Sequence, residues 1–308
     1  MANSTLERKV KATPPTKAAR TPPNAGLPPG EKSLAASPGT WFAGAGIAAF
    51  FIFLFGIVIS VLVDSFGKPW FNTWLPEKFT TSWYQDGWTR FDLTHIIGVT
   101  LLVAFSVIIV SVVVGVPASY VLARSNFPGK NLVMLLFLLP ILIPPITFGI
   151  PLATVMYNVG LGRTVLAVIL VNLVPSVPFV IVTMTPFIEQ VNPSIENAAR
   201  MCGASTRRVF TRILAPILVP GILAASILVL VRTVGMFDLT FLVSGPRSDT
   251  LVVAIYRAMT SAGGGEARQL ISSMGVIYTA LMLLILIVAL RFINPTQLVS
   301  QVKDARDD

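Results

Sequence analysis

The stretch NPSIENAARMCGASTRRVFTRILAP, residues 192–216, lies between two apolar runs, Thr164 to Phe187 and Val219 to Leu242, and its reading decides the architecture. Asn192 followed by Pro193 predicts a helix start, because Asn caps free N–H groups and Pro fits the first helical position. Gly203 suits a left-handed stop and Ser205 a second cap. The stretch therefore reads as a short helix, a tight turn and another helix. That second helix carries Val209, Phe210, Ile213 and Leu214 on one side and Arg207, Arg208, Thr211 and Arg212 largely on the other, and Pro216 is expected to end it. Such an amphipathic pair can grip a soluble partner, or rest on anionic lipid, which its arginines also favour.

Outward from this loop the chain is apolar. Of its 308 residues 54% are hydrophobic and 12% charged, against about 25% charged in an average soluble domain. Six runs are long enough to span a bilayer: Trp41 to Val63, Ile96 to Ala123, Leu132 to Tyr157, Thr164 to Phe187, Val219 to Leu242 and Leu270 to Phe292. Spans without period-2 alternation are helices, since lipid leaves no partner for open backbone groups. The expected fold class is an all-α membrane protein with six transmembrane helices. Basic residues set the orientation. Six Arg and Lys in the tail over residues 1–40, Arg124 and Lys130, the four arginines of the 188–216 loop, and Arg291 with Lys303 and Arg306 of the tail over 293–308 fall on one side, so both termini are expected in the cytoplasm. The proline-rich first tail reads as disordered. The segment 64–95, with Trp70, Trp74, Trp83, Tyr84 and Trp88, reads as an outer interfacial belt or a docking surface. Ser244 to Arg268, containing Gly263, Gly264 and Gly265, reads as a re-entrant or loop-plus-helix region. The net charge of +9 serves orientation; no aromatic platform interleaves it, which argues against nucleic acid. One cysteine, Cys202, excludes an internal disulfide, and no Cys/His cluster has metal-ligand spacing.

The loop resembles the coupling loop of binding-protein-dependent ABC importer permeases of type I, whose pattern is Glu-Ala-Ala, three residues, Gly, nine residues, then Ile-x-Leu-Pro. Here Asn197, Ala198 and Ala199 are followed by Gly203 and by Ile213, Leu214, Ala215 and Pro216, with both spacings intact. Two positions depart: Asn197 stands where the family has Glu, with Glu196 one place earlier, and Ala215 replaces Leu. A one-residue shift turns a helical side chain by about 100°, so Glu196 substitutes only partly for the usual contact with the ATPase. The resemblance covers residues 96–292, a five-helix core to which Trp41 to Val63 adds a first span. It implies a permease subunit paired with a second, homologous permease, an ATPase dimer on the cytoplasmic side and a periplasmic solute-binding protein, in a bacterial inner membrane. Gly129-Lys130 lacks the glycine and Ser/Thr of a phosphate loop; ATP and magnesium are expected in the ATPase, with no cofactor in this chain. Outer-loop phrases around Val243 to Pro246 and Phe79 to Tyr84 look most like the spermidine/putrescine type.

Prolines at 140, 144, 145 and 151 interrupt the third run and prolines at 175, 178 and 186 the fourth, marking these helices as path-lining or simply kinked for packing. Thr147, Asn172 and Ser176 are polar candidates for solute contact or helix pairing. Arg232 is a cation within a span and Asp238 the only acid within one; they form an ion pair across a break at Gly235, a contact between subunits, or a solute site. The lone cation favours a sugar-like or anionic cargo over a polyamine. An enzyme would need an intramembrane catalytic constellation, which one His and one Asp do not supply. An autonomous secondary transporter or channel is the remaining alternative; it would need no partner loop.

Overall fold

Runs of Leu, Ile, Val and Phe without charges become helices here because only the helix satisfies its own backbone in lipid. The computed structural model describes residues 38–70, 73, 75–260 and 267–291. The expected tails therefore lie outside the described residues, apart from Pro38 to Thr40, as do Trp74 and Gly263 to Gly265. The first helix, α1 (Pro38–Phe66), straddles two units, one ending at Gly56 and one beginning at Ile57. In the second unit a short helix, α2 (Ser82–Phe91), precedes α3 (Leu93–Arg124). Next come α4 (Lys130–Leu142), α5 (Pro145–Asn158) and α6 (Val165–Glu189). The loop helix α7 (Pro193–Met201) leads through α8 (Thr206–Val209) and a π-helical turn, Phe210–Leu214, into α9 (Ala215–Val234). The described residues close with α10 (Asp238–Val243), α11 (Leu251–Met259) and α12 (Arg268–Arg291). Five helices are long and apolar enough to cross a membrane, or six if the bent pair α4 and α5 counts as one span.

That bent pair corrects the third expected span. Its halves meet at 93°, and the cause is Pro144-Pro145. A residue before proline is driven out of the α region, and here Ile143 (ψ 135°) and Pro144 (ψ 132°) both become extended. The prolines of the fourth span do not act this way, since α6 runs unbroken through Pro175, Pro178 and Pro186. The fifth span is displaced from its expected bounds: it ends early, at Val234, and Asp238 opens the separate helix α10.

The second unit is built around α3 and α6. Gly115 allows their contact, because a Cβ there would lie 2.7 Å from a Val180 methyl; small residues at crossings let membrane helices approach in this way. Val103, Val107, Val168, Val171, Val180, Met184 and Val229 form the buried seam that joins α9 to them. Gly149 on α5 meets Leu239 and Leu242 on either end of α10 in the same manner. The belt segment is pinned by its own indoles: Trp83 donates to the Gly67 carbonyl (2.8 Å), Trp88 to the Thr94 hydroxyl (2.9 Å) and Trp70 to Asp64 (3.3 Å). Asp64 is buried and also accepts from Arg268 and Ser272 of α12. The region after α10 is a loop followed by a helix, as one of the two expected forms has it.

Candidate functional site

The polar loop folds from its caps inward. The Asn192 side chain accepts the Ser194 N–H at 2.9 Å and Pro193 opens α7. At the other end Gly203 adopts φ +82°, the Ala204 N–H reaches the Ala199 carbonyl and the Gly203 N–H the Arg200 carbonyl. This pair of reversed bonds closes the helix and uses carbonyls it would otherwise leave open. Glu196 in the first turn and Arg200 in the last suit the helix dipole. Ser205 stands at the start of α8 in an extended conformation, but its hydroxyl makes no capping bond.

Pro216 does not end the second helix, contrary to the expectation above. Its ring would collide with a carbonyl four residues back in α geometry, and it lacks the N–H that α geometry uses. The chain resolves both problems by widening: the Ala215 N–H bonds to the Phe210 carbonyl, five residues back, and α9 continues from there. Thr206 to Val234 is thus one rod of 29 residues, about 43 Å long against a hydrocarbon layer of about 30 Å. Its faces are as expected, with Val209 and Leu214 buried and Arg207, Arg208, Thr211 and Arg212 exposed.

Side chains of α7 divide sharply. Asn197, Ala198, Met201 and Cys202 are exposed, as is Ile195, and Met201 reaches 85% exposure. Ile195, Ala198 and Met201, spaced by three, make an uncovered apolar stripe on a helix too short to be stable without caps. Glu196 alone is buried. It turns inward, where Arg124 Nε donates to Oε1 (2.7 Å) and the Tyr120 hydroxyl to Oε2 (2.8 Å). The expected partial replacement of an outward-facing glutamate by Glu196 therefore does not fit its position. Sequence reading missed Tyr120 and Arg124; their i,i+4 spacing at the end of α3 was a signal, but nothing tied it to a residue more than seventy positions away. Ala199 and Ile213 are half-buried, and Pro216 and Gly203 exposed.

In the bundle interior the candidates separate. Asn172 is buried and donates to the Val168 carbonyl (2.8 Å) and the Thr240 hydroxyl (3.2 Å), so it pairs α6 with α10. Ser176, one turn further along α6, is buried, whereas Thr147 is exposed in the first turn of α5. Arg232 and Asp238 are both half-buried, and no ion pair joins them among the described residues. The Arg232 guanidinium lies 5.7 Å from the centre of the Phe179 ring, within cation–π range. Phe179 lies in the middle of α6, about 21 Å from its start and 15 Å from its end by helical rise. Outside the spans Asp249 is engaged internally: it is buried, takes the Ser244 hydroxyl at 2.7 Å and pairs with Arg257 at 2.8 Å.

A broken helix, a loop helix capped at both ends and long apolar rods together define a multi-pass membrane protein. The sequence profile of the family described as "Binding-protein-dependent transport system inner membrane component" matches residues 115–298, more than half of the chain, and the chain belongs to that family. A probable molybdenum ABC transporter permease of Haloferax volcanii is 32% identical over 50% of this chain and 60% of its own length. The trehalose transport system permease SugB of Mycobacterium tuberculosis is 32% identical over 45% and 49%. The chain thus spans about half to three fifths of the length of these curated relatives. In fold it is similar to a chain of a bacterial ABC transporter involved in the import of the acidic polysaccharide alginate, with TM-score 0.67 at 14% identity, over 83% of this chain and 98% of that one.

Proposed function

We propose that the chain forms half of the translocation pathway of an ATP-binding-cassette importer in a bacterial inner membrane and carries a small anionic solute delivered by a periplasmic binding protein. The uncovered stripe Ile195, Ala198 and Met201 on α7 is the observation that carries the coupling part. A short, rigidly capped helix with an exposed apolar face between two spans is suited to a cleft in a cytoplasmic ATPase, where ATP and magnesium are bound and hydrolysed. A second permease, homologous to this chain, completes the pathway. The loop's arginines support a cytoplasmic α7 and, with it, cytoplasmic termini.

The cargo reading rests on Arg232. A guanidinium within the hydrocarbon layer costs several kcal/mol unless a cavity or partner compensates it, and Arg232, in the last turn of α9, has an aromatic face and no carboxylate partner among the described residues. A relative named for molybdenum and a structural neighbour importing an acidic polysaccharide support an anion; the trehalose permease supports a neutral sugar. The test is purification of the solubilised chain with its ATPase, followed by uptake in proteoliposomes with the cognate binding protein. The expected results are association with an ATPase and a second permease, loss of that association in Gly203→Asp or on deletion of Asn197 to Gly203, and at least a roughly tenfold fall in anion uptake in Arg232→Ala, equivalent to about 1.4 kcal/mol. Uptake of a polyamine but no anion or sugar overturns the cargo; nucleotide-independent transport by the chain alone overturns the whole reading and favours an autonomous transporter.

A further inference from the structure

The buried carboxylate of α7 sits in a network that ties the loop segment from Val191 to Phe210 to the distant end of α3. Both of its oxygens are taken, Oε1 by Arg124 Nε at 2.7 Å and Oε2 by the Tyr120 hydroxyl at 2.8 Å. Arg124 also donates through Nη2 to the Val191 carbonyl at 2.7 Å, so one guanidinium holds the connection leaving α6 as well as α7. Tyr120 accepts from Arg200 at 3.3 Å, and its ring meets that of Phe210, in the π turn, edge-on at 5.4 Å. Arg200 itself lies 3.8 Å from Glu196 and is half-exposed, the weaker of the two ion pairs. Charge-assisted bonds of this kind are shorter and stronger than neutral ones, and a half-satisfied buried network is worse than none.

We propose that Glu196 is a positioning residue that latches α7 to the end of α3, so that displacement of α7 is delivered directly to α3 and the neighbouring π turn. The displaced glutamate thereby works inward, holding the loop, while Asn197 and the apolar stripe are left to face a partner. The delivery half of this proposal rests on the coupling function proposed above; the latch does not. Since Cys202 is the sole cysteine and lies exposed at the end of α7, a nitroxide attached to it reports the motion of that helix in the full-length chain without an engineered site.

In nanodiscs containing the chain alone, Glu196→Gln and Arg124→Gln are each expected to raise the mobile component of the Cys202 nitroxide spectrum several-fold, the double variant no further, and Tyr120→Phe less. Additive effects, or a spectrum unchanged in Tyr120→Phe and in whichever charge variant folds, overturn the latch. In the complex with the ATPase, Glu196→Gln is expected to leave association and ATP hydrolysis in place while solute moved per ATP falls. Unchanged solute per ATP with a loosened α7 overturns delivery through α3, and so does lost association. If no ATPase associates even with the unaltered chain, the coupling function fails, and the nitroxide measurement still decides the latch.

Discussion

At Gly203 a φ of +82° would press the side chain of any L-residue against its own backbone, yet nothing else lies within 4 Å of where a Cβ would stand. The cost of substitution is therefore conformational alone. Gly203→Ala is expected to weaken the α7 cap by about 1–2 kcal/mol, read as faster amide exchange confined to Ala199–Ala204. Asn172 offers the converse case, a polar group whose value lies in one partner. Asn172→Leu removes the bond to Thr240 and should lower stability by about 0.6–1.7 kcal/mol, measured by thermal unfolding in detergent, with faster exchange in α10. These two residues also mark what sequence could tell at this scale. Gly203 and Asn192 were legible because caps are local chemistry. The direction of Glu196 was not, because its partners Tyr120 and Arg124 arrive from another helix; nor was the choice of Asn172 between solute and Thr240.

Among elements, the same contrast recurs in the prolines. Seven interrupt the third and fourth apolar runs, but only the adjacent pair Pro144-Pro145 breaks the chain direction, since it alone forces two extended residues in succession. The isolated prolines within α6 leave that helix continuous where it packs against α3 and α9, and a single-sequence pattern does not separate this case from a break. Replacing both Pro144 and Pro145 with Ala should straighten α4 and α5. The separation of spin labels at their outer ends would then grow from about 29 Å toward about 43 Å. The α3–α6 crossing is set by Gly115: Gly115→Leu places atoms where Val180 already stands, with an expected loss of about 1–3 kcal/mol. Val180→Ala in the same chain should recover part of it, which thermal unfolding of the four variants resolves.

For the molecule as a whole, the order of the apolar runs was readable from hydropathy, because bilayer thickness sets their length, while the third of the six is a bent pair, which leaves five spans or six. Orientation rests on the arginines and has its own test. A membrane-impermeant maleimide should modify Cys202 in inverted membrane vesicles and leave it untouched in right-side-out ones; the opposite pattern reverses the topology. The boundaries that failed, at Pro216 and beyond Val234, failed where backbone geometry departs from the α-helix, a departure that leaves no mark in hydropathy.

The π turn at Phe210–Leu214 has a meaning in terms of phase. A turn that holds one extra residue advances everything before it by about 100° around the axis relative to a plain α-helix, so it sets the angle between the arginine face of α8 and the buried face of α9. Deleting Thr211 would restore ordinary winding with Arg207 and Arg208 near their present phase but bring the Pro216 ring against a carbonyl, whereas rewinding the turn with every residue kept would swing them around the rod by about 100°. The extra residue thus acts as a fixed angular offset, keyed in place by a proline, between what the rod presents outside the bilayer and what it presents within.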